Sequence, residues 1–212
     1  MQLSISSNHI RMEPKNMTDA QKSKDRIIRV AIDLFSTKGF KGTSVRDIAN
    51  AMSMSISNIY HYFGNKEGLW LAILEYSAKG IVEKLHEVSK LDIEPMARFK
   101  LLMETHINLS KFHRKEAKIF FIDEEHLTTK GNKINQKIQR EILDIYINEL
   151  RNLEAMGYVN CRSLTVLAFN ILGVINWHLR WYRPKGVLSL EEVSQEIVSF
   201  VMHGILGPLR KE

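Results

Sequence analysis

Thr43-Ser44-Val45-Arg46-Asp47-Ile48-Ala49-Asn50-Ala51-Met52-Ser53-Met54-Ser55-Ile56-Ser57-Asn58-Ile59-Tyr60-His61-Tyr62-Phe63-Gly64-Asn65-Lys66 reads as two short helices around one tight connection. Ser44 is placed to cap the first. Asp47, three residues on, brings a carboxylate to the free amides and to the positive helix end. Val45, Ile48 and Met52 then share one face. Ser55 is placed to cap the second helix, whose inward stripe is Ile56, Ile59 and Phe63. Ser57, Asn58, Tyr60, His61 and Tyr62 are left mostly facing out.

That outer face holds hydroxyls, an amide, an imidazole and two phenols, and no carboxylate. Such groups bond phosphate oxygens or base edges without like-charge repulsion. Two short helices with the second presented outward make a helix-turn-helix, whose second helix enters the major groove of DNA. A packed helical hairpin with a polar face is the alternative from the pattern alone.

Gly39-Phe40, Thr43-Ser44, Asp47-Ile48-Ala49, Ser55, Tyr60-His61-Tyr62-Phe63 and Lys66-Glu67-Gly68-Leu69 resemble the DNA-binding signature of the TetR family of transcriptional regulators. The match covers roughly residues 24–70. The resemblance implies that Thr43, Ser44, Arg46, Ser57, Asn58, Tyr60, His61, Tyr62 and Lys66 form the DNA-binding set. It also implies a homodimer on palindromic double-stranded DNA. Two positions depart from the family pattern. Ser53 stands where the family usually has Gly in the turn, and a left-handed backbone there would cost a non-Gly residue about 1 kcal/mol. Ser57 stands where the family often has Gly or Ala, which adds a hydroxyl to the reading face.

Charge supports a polyanion partner. The chain of 212 residues has a formal net charge of +6, and residues 22–66 hold 8 Lys/Arg against 3 Asp/Glu. Residues 67–212 are nearly balanced, with 20 basic and 19 acidic side chains. The positive charge is therefore concentrated around the reading head; a solvated basic face is the alternative. The one cysteine, Cys161, cannot build a disulfide framework. No apolar run reaches membrane-spanning length and the start lacks a signal-peptide core, so no membrane partner is expected and a cytoplasmic location is the default.

The expected architecture is all-α: a flexible arm over 1–21, a three-helix DNA-binding domain over 22–66, and a larger helical ligand-binding and dimerisation domain over 67–212. The first helix is predicted over 23–38, with Ile27, Ala31, Leu34 and Phe35 inward and Gly39 as its stop. Lys66 opens a helix to about Val88, with Leu69, Ile73, Tyr76 and Leu85 on its inner side. A cation in a first helical turn is poor dipole chemistry, which favours a functional role for Lys66. Pro95 starts another helix carrying Phe99, Met103 and His106. Helices are also predicted over 114–127 and 133–155, with Gly131 breaking the chain between them.

Residues 163–182 show no clear polar face, so this helix is buried on several sides. The last helix starts with Ser189 and Glu192 as a capping box. Two adjacent apolar helices suggest self-association as a bundle, with Phe169, Gly173, Val193, Ile197, Phe200, Val201 and Gly204 as the dimerisation seam. An intramolecular core is the alternative. Asn176, Arg180 and Arg183 in or beside that helix are expensive to bury alone; either ion pairs or a ligand satisfies them. The segment Asn176–Pro184, with Gly186, Leu188-Ser189 and Glu191-Glu192, is similar to acyl-CoA-sensing TetR regulators of lipid metabolism. That similarity implies a hydrophobic anionic inducer, an acyl-CoA or fatty acid, with Phe99, Met103, His106, Asn176, Trp177, Arg180, Trp181 and Arg183 as ligand-binding residues. Two readings stand beside it: a sensor of aromatic or cationic drug-like compounds, and a helical ligand-binding protein that no longer reads DNA.

No catalytic, metal or cofactor site is expected. Asp123-Glu124-Glu125-His126 lacks helical ligand spacing and reads as an exposed acidic turn. There is no phosphate-binding Gly loop and no nucleophile elbow.

Overall fold

The computed structural model describes residues 18–112 and 129–205, and every regular element among them is helical. The order is α1 (Asp19–Lys38), α2 (Val45–Ala51), α3 (Ile56–Phe63), α4 (Lys66–Ser89), α5 (Pro95–Phe112), α6 (Thr129–Ala155), α7 (Leu164–Trp181) and α8 (Leu190–Ile205). The all-α class read from the sequence is the class observed. The helix expected over 114–127, with Asp123 to His126, lies outside the described residues, as do residues 1–17 of the expected arm.

Local chemistry sets the ends. α1 begins four residues earlier than its apolar period suggests, because Thr18 caps it: Oγ1 accepts from the Gln21 amide at 3.3 Å, with Asp19 in the first turn. Gly39 ends it at φ 73°, donating its amide to Phe35 O at 2.8 Å. That is the left-handed stop glycine permits. Gly131 lies within α6 (Thr129–Ala155) rather than breaking the chain there.

Side chains assemble two apolar clusters. The first joins Ile27, Ala31 and Phe35 of α1, Val45, Ile48 and Met52 of α2, Ile59 of α3, and Leu69, Trp70 and Ile73 of α4. The second joins Leu85 and Val88 of α4 to α5 (Phe99, Leu102, Met103), α6 (Tyr146, Leu150, Leu153), α7 (Ala168, Ile171, Ile175) and α8 (Val193, Ile197, Val201). α4 belongs to both. Its 24 residues span about 36 Å at 1.5 Å per residue. Tyr76, expected on the inner side, is exposed where the helix passes between the clusters. One buried ion pair ties α5 to α6: Arg98 Nε donates to Glu149 Oε2 at 2.8 Å.

Candidate nucleic-acid interface

α2 is only 7 residues long, too short to hold its shape by propensity. A reciprocal cap fixes its start. Ser44 Oγ accepts from the Asp47 amide at 3.1 Å, and Asp47 Oδ2 accepts from the Ser44 amide at 2.8 Å and from its hydroxyl at 2.7 Å. The Ser44 hydroxyl, then its amide, holds the Asp47 carboxyl below the usual carboxylate range. The turn to α3 is closed by Met54 N–H to Ala49 O at 3.0 Å and Ser53 N–H to Asn50 O at 3.1 Å. This pair of bonds requires a left-handed residue between the helices. Ser53 supplies it at φ 52°, the one non-glycine positive φ among the described residues. The strain expected at this family departure is present.

Ser55 then caps α3, its side chain accepting from the Asn58 amide at 3.3 Å. Ile59 is fully buried, with Ile56 and Phe63 packed partly against the same cluster. Ser57, Asn58, Tyr60 and His61 are exposed in one display. Tyr62 is half-buried beneath it, its ring edge-on to His61 at 5.5 Å. Arg46 is exposed on α2.

Two expected members of the face are placed differently. Thr43 is 1% exposed. Its hydroxyl donates to Gly39 O at 3.0 Å and lies 3.3 Å from Leu34 O, so its side chain locks the α1–α2 connection instead of facing outward. Lys66 is half-buried, with Nζ 4.1 Å from the centroid of the Phe40 ring. A cation–π contact offsets the unfavourable placement of a cation at a helix start. The Phe40 ring in turn stacks on Phe35 at 5.7 Å and lies tilted against Trp70 at 5.1 Å. The oddity noted at Lys66 therefore has a packing cause: it ties α4 to the head. Sequence reasoning missed this because the partners are far apart in the chain.

The expected ligand residues do not converge. Phe99 and Met103 are fully buried in the second cluster. His106 is buried with them, its Nδ1 sharing a hydrogen bond with the Tyr146 hydroxyl at 3.0 Å. Burial, then the neighbouring His178, pushes His106 down to about 4. His178 is also buried, hydrogen-bonded through Nδ1 to Ile175 O. Asn176 is half-buried, and Trp177, Arg180, Trp181 and Arg183 are exposed. Arg180 lies 5.6 Å from the Trp177 ring, and Arg183 turns back to donate to the carbonyls of Arg180, Trp181 and Tyr182 at the end of α7. The i, i+3 and i+4 spacing of Trp177, Arg180 and Trp181 puts them on one outward face of α7, whereas Phe99, Met103 and His106 are buried on α5.

The seam residues also divide. Val193, Ile197 and Val201 are buried in the chain's own core. Phe169 (58% exposed) and Phe200 (67%) are not, and Gly173 and Gly204 are exposed beside them. With Val166 and with Trp177 (61%), which was expected to hold ligand, these form an apolar stripe on α7 and α8.

Two family models match this chain: "Tetracyclin repressor-like, C-terminal domain" over residues 92–205 and "Bacterial regulatory proteins, tetR family" over residues 27–73. The chain belongs to the TetR family. As a TetR regulator it is a homodimeric, DNA-binding transcriptional repressor and not an enzyme. It is 24% identical over 187 residues to the transcriptional repressor KstR2 of Rhodococcus jostii, covering 87% of this chain and 92% of that one. Among solved structures, the TetR regulator PfmR from Thermus thermophilus superposes with a TM-score of 0.78 at 25% identity, covering 88% of this chain and 100% of that one. AibR, solved in complex with isovaleryl coenzyme A and operator DNA, gives 0.75 at 26% identity, covering 88% and 99%. Among the described residues no helix is long and apolar enough to cross a membrane.

Proposed function

We propose that this regulator holds a palindromic duplex through α3, with Asn58 and His61 reading bases and Ser57, Tyr60 and Tyr62 beside them. Ser44, Arg46 and Lys66 would serve the flanking phosphates. The observation that carries this reading is the exposed, carboxylate-free face of α3, rigidly capped at Ser55. On this reading residues 22–66 are the DNA-binding domain, residues 67–212 bind ligand and dimerise, and residues 1–21 are an arm. The dimer forms through the exposed stripe of Val166, Phe169, Gly173 and Trp177 with Phe200 and Gly204. Glycines there allow close approach of the partner backbone.

The inducer on this reading is an acyl-CoA or a related hydrophobic anion. Two observations support it: the likeness to AibR, solved with isovaleryl coenzyme A, and the exposed Arg180 and Trp181 at the end of α7. Guanidinium and indole suit phosphate and adenine. α4 spans both apolar clusters, so a ligand that repacks the second cluster tilts α4 and changes the separation of the two heads. Fixed groove spacing does not tolerate that change. By linkage, a ligand that lowers DNA affinity binds the DNA-free protein more tightly by the same factor.

The test is release of a selected operator duplex, followed by fluorescence anisotropy, with isovaleryl-CoA, free fatty acids and cationic dyes titrated separately. Release by the acyl-CoA supports the assignment. Release by cationic dyes alone overturns it and favours a drug-type sensor.

A further inference from the structure

We propose that a cleft between α5, the C-terminal end of α7 and the start of α8 binds a small organic ammonium ion. The cleft has a volume of about 540 Å³, within the range of small-molecule sites. None of the eight residues expected to hold the inducer lines it, and it does not depend on the acyl-CoA reading. It also lies away from the exposed stripe: at 100° per residue, Ser194 and Phe200 point about 120° apart around α8.

Its walls favour a cation. Glu104 of α5 and Glu191 of α8 bring two carboxylates, and among the described residues no Lys or Arg lines it, His178 being the one basic group. Lys100 lies 4.0 Å from Glu104, but this is a solvent-facing pair with the lysine 58% exposed, which water screens. The start of α8 offers little to an anion. Ser189 and Glu192 form a complete capping box, with Glu192 Oε2 accepting from the Ser189 amide at 2.7 Å and hydroxyl at 2.8 Å. Those two bonds hold the Glu192 carboxyl below its ordinary value. The positive helix end is thus answered by Glu191 and Glu192 in its own first turn. The carbonyl end of α7 is already answered by the Arg183 guanidinium, so the charge of a bound cation is met by Glu104 and Glu191.

Ser194 is the independent mark of a ligand. It is 2% exposed, it lines the cleft, and its hydroxyl has no hydrogen-bond partner among the described residues. A buried hydroxyl without a partner opposes folding, so a residue that contributes only to stability would be Ala here. An ammonium N–H can donate to this oxygen while the two carboxylates balance its charge. Leu179 and Tyr182 cover a short apolar tail, the Tyr182 ring adding a face for the cation.

Calorimetric titration of the full chain with n-butylammonium, putrescine and spermidine tests this, with butyrate and 1-butanol as controls. At least one amine should bind once per chain, with butyrate and 1-butanol far weaker. Glu104→Gln and Glu191→Gln should each weaken that amine by about tenfold. Ser194→Ala should weaken it too while leaving the melting temperature unchanged or raised, because the hydroxyl it removes has no partner among the described residues. The proposal is overturned if no amine binds below about 10 mM, if 1-butanol binds as well as the amines, or if both glutamine variants bind unchanged. Isovaleryl-CoA added to the amine-saturated operator complex keeps the two readings apart. Amine binding without an acyl-CoA response removes only the inducer assignment, and the converse removes only the cleft.

Discussion

Lowering the pH from about 7 to about 5 should destabilise the protein by about 2 kcal/mol through His106 alone. His106 is buried against Tyr146, and burial and then His178 lower it from 6.5 to about 4. Its folded value lies below its unfolded value, so between the two the unfolded chain holds more protons. Its contribution to stability is complete above about 6.5, falls as the pH falls to about 4, and stays low beneath that. Two and a half units at about 1.4 kcal/mol each set a ceiling of about 3 kcal/mol, of which about 2 is reached by pH 5. Urea unfolding, followed by far-UV circular dichroism at half-unit pH intervals, reads this directly. The His106→Gln variant should lose about 2 kcal/mol less over the interval, the histidines away from this pair titrating alike in both proteins. Parallel loss in variant and wild type would refute a buried neutral imidazole.

Three further substitutions test the architecture. Ser53→Gly should stabilise the protein by about 1 kcal/mol, because glycine adopts the left-handed turn without the Cβ clash; an unchanged or lower melting temperature contradicts the strain. Arg98→Ala should cost about 3 kcal/mol in chemical denaturation by leaving the Glu149 carboxylate buried without its cation; a loss below about 1 kcal/mol would mean that water reaches Glu149. Lys66→Ala should weaken all DNA sequences alike and lower the log–log salt slope by roughly 1, and should loosen the head through lost contact with Phe40. A change of sequence preference at constant salt slope would be inconsistent with phosphate contact.

The helix-turn-helix was legible because local rules decide it. Ser44, Asp47 and Ser55 cap within three residues of themselves, and the apolar stripe of α2 recurs at helical spacing. Ser53 was legible as strain for the same reason, since a tight turn demands a left-handed residue wherever the chain stands. Thr43 was not legible: its hydroxyl is taken by carbonyls of α1 and Gly39, so exposure could not be inferred from polarity. Lys66 on Phe40 is a contact between elements with no sequence pattern.

In the second domain the period of α7 was visible, but not which side of it the chain's own core would take. Trp177 therefore joined Phe99 in one predicted site, although packing puts them on opposite sides. The cleft is built from Glu104, Ser194 and the end of α7, which only tertiary packing brings together.

Selection of a random duplex library, followed by mass measurement of the selected complex, tests the central claim most directly. A two-fold repressor reading through α3 should enrich a palindrome whose half-site centres lie about 34–36 Å apart or a multiple of it. The complex should hold an even number of chains, and Asn58→Ala should lose the enriched bases while retaining non-specific binding. Enrichment of no sequence, or a complex with a single chain on one half-site, would contradict the account.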